Sequence, residues 1–169
     1  KSDHIIDENT QHRLRSCGKA VLMAQVKVID DHGNELSAGE VGEIVAKTPY
    51  NLVEYHKLPE NTQETLVDGW LHTGDIGYID EEGYVYLLDR KNDMIISGGM
   101  NVYSTEVENV IQTHPSVNQV AVVGLPDEDW GEIVTAFIVR KENVTVSEED
   151  IIKYCDSLLA KYKRPKKVF

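Results

Sequence analysis

Asp89-Arg90-Lys91-Asn92-Asp93-Met94-Ile95-Ile96-Ser97-Gly98-Gly99-Met100-Asn101-Val102-Tyr103 divides this chain. A charged run passes into a short apolar run, then a glycine pair, then the predicted start of a helix. Upstream of it, turn chemistry separates strand-like segments. Val26 and Val28 alternate with Gln25, Lys27 and Asp30 before the turn Asp31-His32-Gly33-Asn34. Val41 to Lys47, Leu71 to Ile79 and Tyr84 to Leu88 read as further strands, the last two joined by Asp80-Glu81-Glu82-Gly83. Pro49 to Thr65 reads as a surface loop with room for a short helix.

Downstream the periodicity changes. Val107, Val110, Ile111 and His114 fall at i, i+3, i+4, i+7, one face of a helix that Pro115 ends. Thr105-x-x-Glu108 predicts a capping box for it. Val117 to Gly124 and Ile133 to Val139 are strand-like, with Pro126 to Gly131 as the loop between them. Ser147 is the predicted cap of a second helix, with Glu148, Glu149 and Asp150 at its positive dipole end and Ile151, Ile152, Cys155, Leu158 and Leu159 on its buried face. The fold class is α+β, with a boundary at Asp89 to Asn92. Residues 1–89 are read as β-rich and residues 90–169 as a small α+β domain.

Composition narrows the function. A net charge of −12 and a pI near 4.8 repel phosphate backbones, so general nucleic-acid binding is not expected. No apolar run reaches the roughly 18 residues of a membrane helix, and Lys1-Ser2-Asp3-His4 lacks the apolar core of a signal peptide. Cys17 and Cys155 form no C-x-x-C pair and read as free thiols in a reducing, cytoplasmic setting. The six histidines show no metal-ligand spacing, and no G-x-S-x-G, G-x-x-x-x-G-K-[ST] or G-x-G-x-x-G occurs. Alone, the chain lacks a complete catalytic constellation.

Two residues carry the chemistry. Asp75 lies within Gly69-Trp70-Leu71-His72-Thr73-Gly74-Asp75, where Gly74 lets backbone approach a ligand. Its carboxylate can accept two hydrogen bonds side by side, which suits the 2′- and 3′-hydroxyls of a ribose. The bland alternative is a turn at a strand end. Arg90 lies fifteen residues later, and its planar fork suits hydroxyl and phosphate oxygens. Its alternative is a surface arginine beside Asp89 or Asp93.

Together the two segments resemble the ribose-binding and hinge motifs of the adenylate-forming enzymes, the family of acyl- and aryl-CoA ligases, adenylation domains and firefly luciferase. The resemblance covers most of the chain. It implies that residues 1–89 end the large AMP-binding domain and that residues 90–169 are most of the small C-terminal one. It assigns nucleotide contact to Asp75 and Arg90, with Thr73 and Gly74 in the same segment. It also assigns a pivot to Asn92, where the family usually shows Asp or Lys; an ordinary turn asparagine is the alternative. Ser97-Gly98-Gly99 resembles the loop lining the pantetheine tunnel of the CoA ligases, against the plain reading of a turn ahead of a helix. Glu106 and Glu108 match the acidic tail of that motif, or simply charge and cap the helix N-terminus. Asp127-Glu128-Asp129 reads as solvated acids rather than a cation site. Lys161, Lys163, Arg164, Lys166 and Lys167 complement a helix C-terminus or meet CoA phosphates.

The family reaction implied is carboxylate plus ATP plus CoA to acyl-CoA, AMP and pyrophosphate, with Mg2+. The phosphate loop, the metal ligand and the catalytic lysine are all expected outside these residues, the lysine beyond Lys163-Arg164-Pro165-Lys166-Lys167-Val168-Phe169. The expectation is a fragment of an acid–CoA ligase for a fatty or similar acid, inactive alone and prone to self-association through exposed apolar surface. Two other readings stay open. One is an adenylation domain that loads a carrier protein. The other is a non-catalytic nucleotide- or pantetheine-binding module, or a scaffold without ligand.

Overall fold

The computed structural model describes residues 10–169. Lys1-Ser2-Asp3-His4, which lacks the apolar core of a leader, lies outside the described residues. The chain separates into two compact units, one ending at Lys91 and one spanning Asn92–Phe169. No helix among the described residues is long and apolar enough to cross a membrane.

The first unit is an antiparallel sheet. Strand β1 (Gln25–Ile29) pairs with β2 (Gly42–Lys47), and the short helix α1 (Pro59–Thr65) leads into β3 (Leu66–Val67). The ten-residue β4 (Trp70–Ile79) and β5 (Val85–Arg90) complete it. One edge of β4 is held by β2. The other edge is shared, by β3 at Trp70 and Leu71 and by β5 from Asp75 to Ile79. The core is Val28, Ile29, Ile44, Val45, Ile76, Tyr84 and Tyr86. Strict alternation fails here: Glu43, Ile44 and Val45 are all buried in succession, because β2 is covered on both faces. The turn after β4 is as predicted, with Gly83 at φ +85° and Asp80 accepting the Glu82 and Tyr84 N–H groups.

The second unit opens with a hairpin, β6 (Ile95–Ser97) and β7 (Met100–Val102). Helix α2 (Ser104–Gln112) comes next, then the long hairpin β8 (Val117–Asp127) and β9 (Gly131–Arg140), helix α3 (Glu148–Cys155) and β10 (Lys167–Val168). Strand β9 pairs antiparallel with β8 and β6 and parallel with β10. Ile95, Val102, Val107, Ile111, Val122, Ile151 and Cys155 form the centre of one apolar core. Each fully buried Ile or Val there is worth about 1.5–3 kcal/mol of transfer free energy.

Four sequence expectations need correction. The glycine pair does not lead straight into a helix, since β7 intervenes. The capping box at Thr105 and Glu108 does not form, because the cap position is Tyr103 and Thr105 is already inside α2. The Pro126 to Gly131 loop is shorter than its sequence suggests: Pro126 and Asp127 belong to β8, and Asp127 folds the turn by accepting the Asp129 and Trp130 N–H groups at 3.0 and 3.1 Å. Leu158 is half exposed rather than buried, because α3 ends at Cys155 and the helical phase stops there.

Ser147 caps α3 as expected, and a reciprocal box beyond that expectation completes it: the Ser147 hydroxyl accepts the Asp150 N–H at 3.2 Å and the Asp150 carboxylate accepts the Ser147 N–H at 3.1 Å. The Ser147 hydroxyl also donates to the Asp150 carboxylate at 2.7 Å, and that bond, followed by the one from the Ser147 N–H, holds the Asp150 carboxyl below its ordinary range. At the other end, Arg164 donates to Leu159 O, Asp156 O and the Asp156 carboxylate, which caps the orphan carbonyls after α3.

Burial pushes the Cys155 thiol up to about 11, while Cys17 is exposed. A thiol titrating that high stays protonated at pH 8, and only the thiolate is nucleophilic. We expect Ellman's reagent at pH 8 to titrate one thiol per native chain and two in guanidinium. Two fast thiols in the native protein would contradict the packing of α3.

Candidate functional site

The Thr73-Gly74-Asp75 segment lies within β4, not at its end. His72 pairs with Val45 and Ile76 with Glu43, so three residues of β4 oppose Ile44 alone. This is a bulge, a device that re-aims side chains beside sites. Gly74 sits at φ +70°, the left-handed region, and a Cβ there would meet nothing within 4 Å, so open space faces the bulge. The Thr73 hydroxyl stitches it, donating to Ile44 O at 2.6 Å and accepting the Asp75 N–H at 3.0 Å. Thr73→Val removes both bonds from the bulge. A loss of about 1–2 kcal/mol in urea unfolding is expected; an unchanged midpoint would mean the bulge holds without the hydroxyl.

Asp75 and Arg90 are direct register partners between β4 and β5. Arg90 Nη1 lies 2.9 Å from Asp75 Oδ1, with the Asp75 side chain 24% exposed and the Arg90 side chain 64%. The two residues predicted to share a ligand therefore share a ledge. It sits where the second edge of β4 passes from β3 to β5. The ledge offers an acceptor and a fixed donor fork side by side, in reach of solvent. As an exposed pair it adds at most about 1 kcal/mol to stability.

Behind the ledge stands a residue that sequence reasoning misses. Glu43, buried in β2, accepts from Lys91 Nζ at 2.8 Å and lies 3.4 Å from His72 Nδ1. Burial raises its carboxyl pKa, but the Lys91 hydrogen bond and charge, helped by His72, outweigh that and leave it lowered. The pair's contribution is therefore complete above the ordinary glutamate range and is lost as pH falls through the depressed value. A lone acid beside an apolar run in Gly42-Glu43-Ile44-Val45 is the available signal, since a charge is buried only with a partner.

Asn92 belongs to a 3-10 turn, Lys91–Asp93, at the boundary between the two units. It does not use the left-handed backbone that asparagine tolerates, because the positive-φ residues do not include it.

In the second unit, Gly98 and Gly99 form the two-residue turn between the paired residues Ser97 and Met100, at φ +59° and +76°. Positive φ at both central positions is the type I′ pattern of tight hairpins. Gly98 N–H donates to Trp130 O at 2.9 Å, and a Cβ on Gly98 would lie 2.8 Å from the Trp130 ring. Lys166 Nζ caps that ring, 3.0 Å from its centroid. Glu132 braces the same hairpin by accepting the Ile96 N–H at 2.7 Å. Sequence alone makes Trp130 a loop residue; its role rests on tertiary contact with a glycine 32 positions earlier.

The remaining predicted groups fall apart. Glu106 pairs with Lys163 at 2.6 Å, and Glu108 accepts the Val122 N–H at 2.8 Å. Burial lowers the Lys163 pKa, but the Glu106 hydrogen bond and charge outweigh that and raise it. The basic cluster is thus divided: Lys163 serves α2, Arg164 caps α3, Lys166 covers Trp130, and Lys161 and Lys167 are exposed.

Known proteins resemble this chain in sequence and fold. Residues 106–169 match the family described as AMP-binding enzyme C-terminal domain. The chain is 49% identical over 164 residues to the long-chain-fatty-acid–CoA ligase FadD13 of Mycobacterium tuberculosis, covering 97% of this chain and 32% of that one. It is 50% identical over 152 residues to the fatty acid–[acyl-carrier-protein] ligase ScoC of Streptomyces coeruleorubidus, covering 90% and 29%. Among solved structures, o-succinylbenzoate CoA synthetase (MenE) of Bacillus subtilis, in complex with the acyl-adenylate intermediate OSB-AMP, superimposes with a TM-score of 0.87 at 40% identity, covering 96% of this chain and 33% of that one. The chain spans about a third of the length of these relatives.

Proposed function

Since the chain belongs to the adenylate-forming (AMP-binding) enzyme superfamily, we propose that it serves as part of an ATP-dependent acid–CoA ligase acting on a fatty or similar carboxylic acid. The observation that carries this reading is the Asp75–Arg90 ledge: two register partners, 2.9 Å apart, on a glycine-opened bulge. In this reading Asp75 accepts hydrogen bonds from the 2′- and 3′-hydroxyls of the ribose of ATP, and later of AMP. Arg90 donates to the same sugar or to the adjoining phosphate. The open space before Gly74 lets the sugar approach backbone.

The chemistry these residues support is carboxylate activation. Adenylation supplies a good leaving group, and a thiol then displaces AMP. Asn92 is the pivot about which the second unit turns between the two steps. The backbone of the Gly98–Gly99 turn lines the path of the pantetheine arm of CoA: Gly98 packs against Trp130, while Gly99 has nothing within 4 Å of a would-be Cβ, so no side chain narrows the approach there. The phosphate loop, the Mg2+ ligand and the catalytic lysine belong to sequence outside these 169 residues in this proposal. We place the enzyme in the cytoplasm, where the free thiols Cys17 and Cys155 persist. The apolar side chains Leu22, 93% exposed, and Val53, 88% exposed, support self-association of the isolated chain.

A second reading is favoured by ScoC, whose acceptor is an acyl carrier protein. Both acceptors end in the same phosphopantetheine thiol, so the ledge and the glycine turn serve either. The test is ATP–pyrophosphate exchange by the longer enzyme carrying these residues, across a panel of fatty acids. Release of AMP is then measured on adding CoA or a phosphopantetheinylated carrier. We expect exchange with at least one acid, background exchange from the 169-residue chain alone, and preference for one acceptor. No exchange with any acid from a folded enzyme overturns the ligase reading.

A further inference from the structure

Glu43 contacts residues on either side of the ledge, His72 before Asp75 and Lys91 after Arg90. Through His72 it meets β4 where that strand enters the bulge, and through Lys91 it meets the chain one residue after Arg90. Its side chain is 9% exposed, and the Lys91 ammonium, 43% exposed, reaches inward to it. Asp31, 3.9 Å from the same ammonium, is almost fully exposed and adds little. A buried carboxylate loses solvation that only close partners return, so Glu43 binds the Lys91 side chain in place. Immediately after Lys91 comes the boundary between the two units.

We propose that Glu43 is a positioning residue: by clamping Lys91, it ends the rigid support of the Asp75–Arg90 ledge one residue before Asn92. Arg90 is then held between its strand pairing with Asp75 and a tethered neighbour. Backbone rotation at the boundary begins at Asn92 and does not spread back into the sugar ledge. The placement of the pivot rests on the function proposed above; the clamp itself rests on contacts within the first unit.

The test is limited digestion of the 169-residue chain with endoproteinase Asp-N, which cuts before aspartate and so reports opening at the Asn92–Asp93 bond. Lys91→Met and Glu43→Gln are each expected to speed that cut about tenfold, and the double variant no more than either alone. Lys91→Arg keeps a cation that reaches Glu43 and is expected to digest like the wild type. A merely structural Glu43 would accelerate cutting at Asp75 and Asp80, within the first unit, as much as at Asp93. That result, or no change in Lys91→Met, overturns the clamp. No nucleotide enters the assay, so the clamp and the ligase reading stand or fall separately.

Discussion

Asp75→Ala is expected to lower kcat/KM for ATP in pyrophosphate exchange by about 10²–10⁴-fold. Two hydrogen bonds from a sugar to a carboxylate are worth about 1.5–3 kcal/mol each, and each 1.4 kcal/mol is a factor of ten. The fold should hardly notice. Asp75 is partly exposed, and its partner Arg90 keeps solvent contact, so unfolding is expected to shift by at most about 1 kcal/mol. Asp75→Asn retains one acceptor oxygen and should fall between alanine and wild type. The measurement is steady-state exchange with ATP varied, beside a thermal melt of the same protein. Unimpaired exchange from Asp75→Ala would remove the sugar from the ledge.

Gly98→Val should destabilise the second unit by about 3 kcal/mol, by two separate mechanisms. The backbone sits at φ +59°, which a β-branched residue adopts only under strain. The added Cβ would also lie 2.8 Å from the Trp130 ring, which already carries the Lys166 ammonium 3.0 Å from its centroid, so the ring must shift with that contact. For a unit of this size that corresponds to a drop in Tm of about 12–24 °C. Gly99→Ala is the control. Its φ of +76° carries the backbone cost, about 1 kcal/mol, but its would-be Cβ meets nothing within 4 Å. In the enzyme, Gly98→Val at a temperature where it stays folded should impair thioester formation far more than pyrophosphate exchange. Equal melts for the two variants would refute the packing of Trp130 on the turn.

Much of this fold is legible in the sequence, for local reasons. Strands betray themselves by β-branched alternation and turns by glycine and aspartate, so β1, β2 and the β4–β5 turn are readable. Ser147 announces α3 through chemistry confined to four residues. The proximity of Asp75 and Arg90 is readable only through resemblance, because no rule of spacing places two residues fifteen apart in register. The misreadings are non-local. The box at Thr105 has the right letters, but β7 ends at Val102 and the helix is capped at Tyr103, two residues before Thr105. Leu158 has the right phase, but α3 stops before reaching it. Glu43 and Trp130 owe their roles to Lys91 and Gly98, partners that a window along the chain does not contain.

The bulge in β4 has a property that its neighbours depend on. Three residues oppose one, so the strand gains two, an even number. A one-residue slip would turn every later side chain inside out. A gain of two restores parity: Ile76 faces the interior as it would in an uninterrupted ladder. The sugar-facing device can thus be spliced into the sheet, or taken out of it, without rewriting the hydrophobic code on either side.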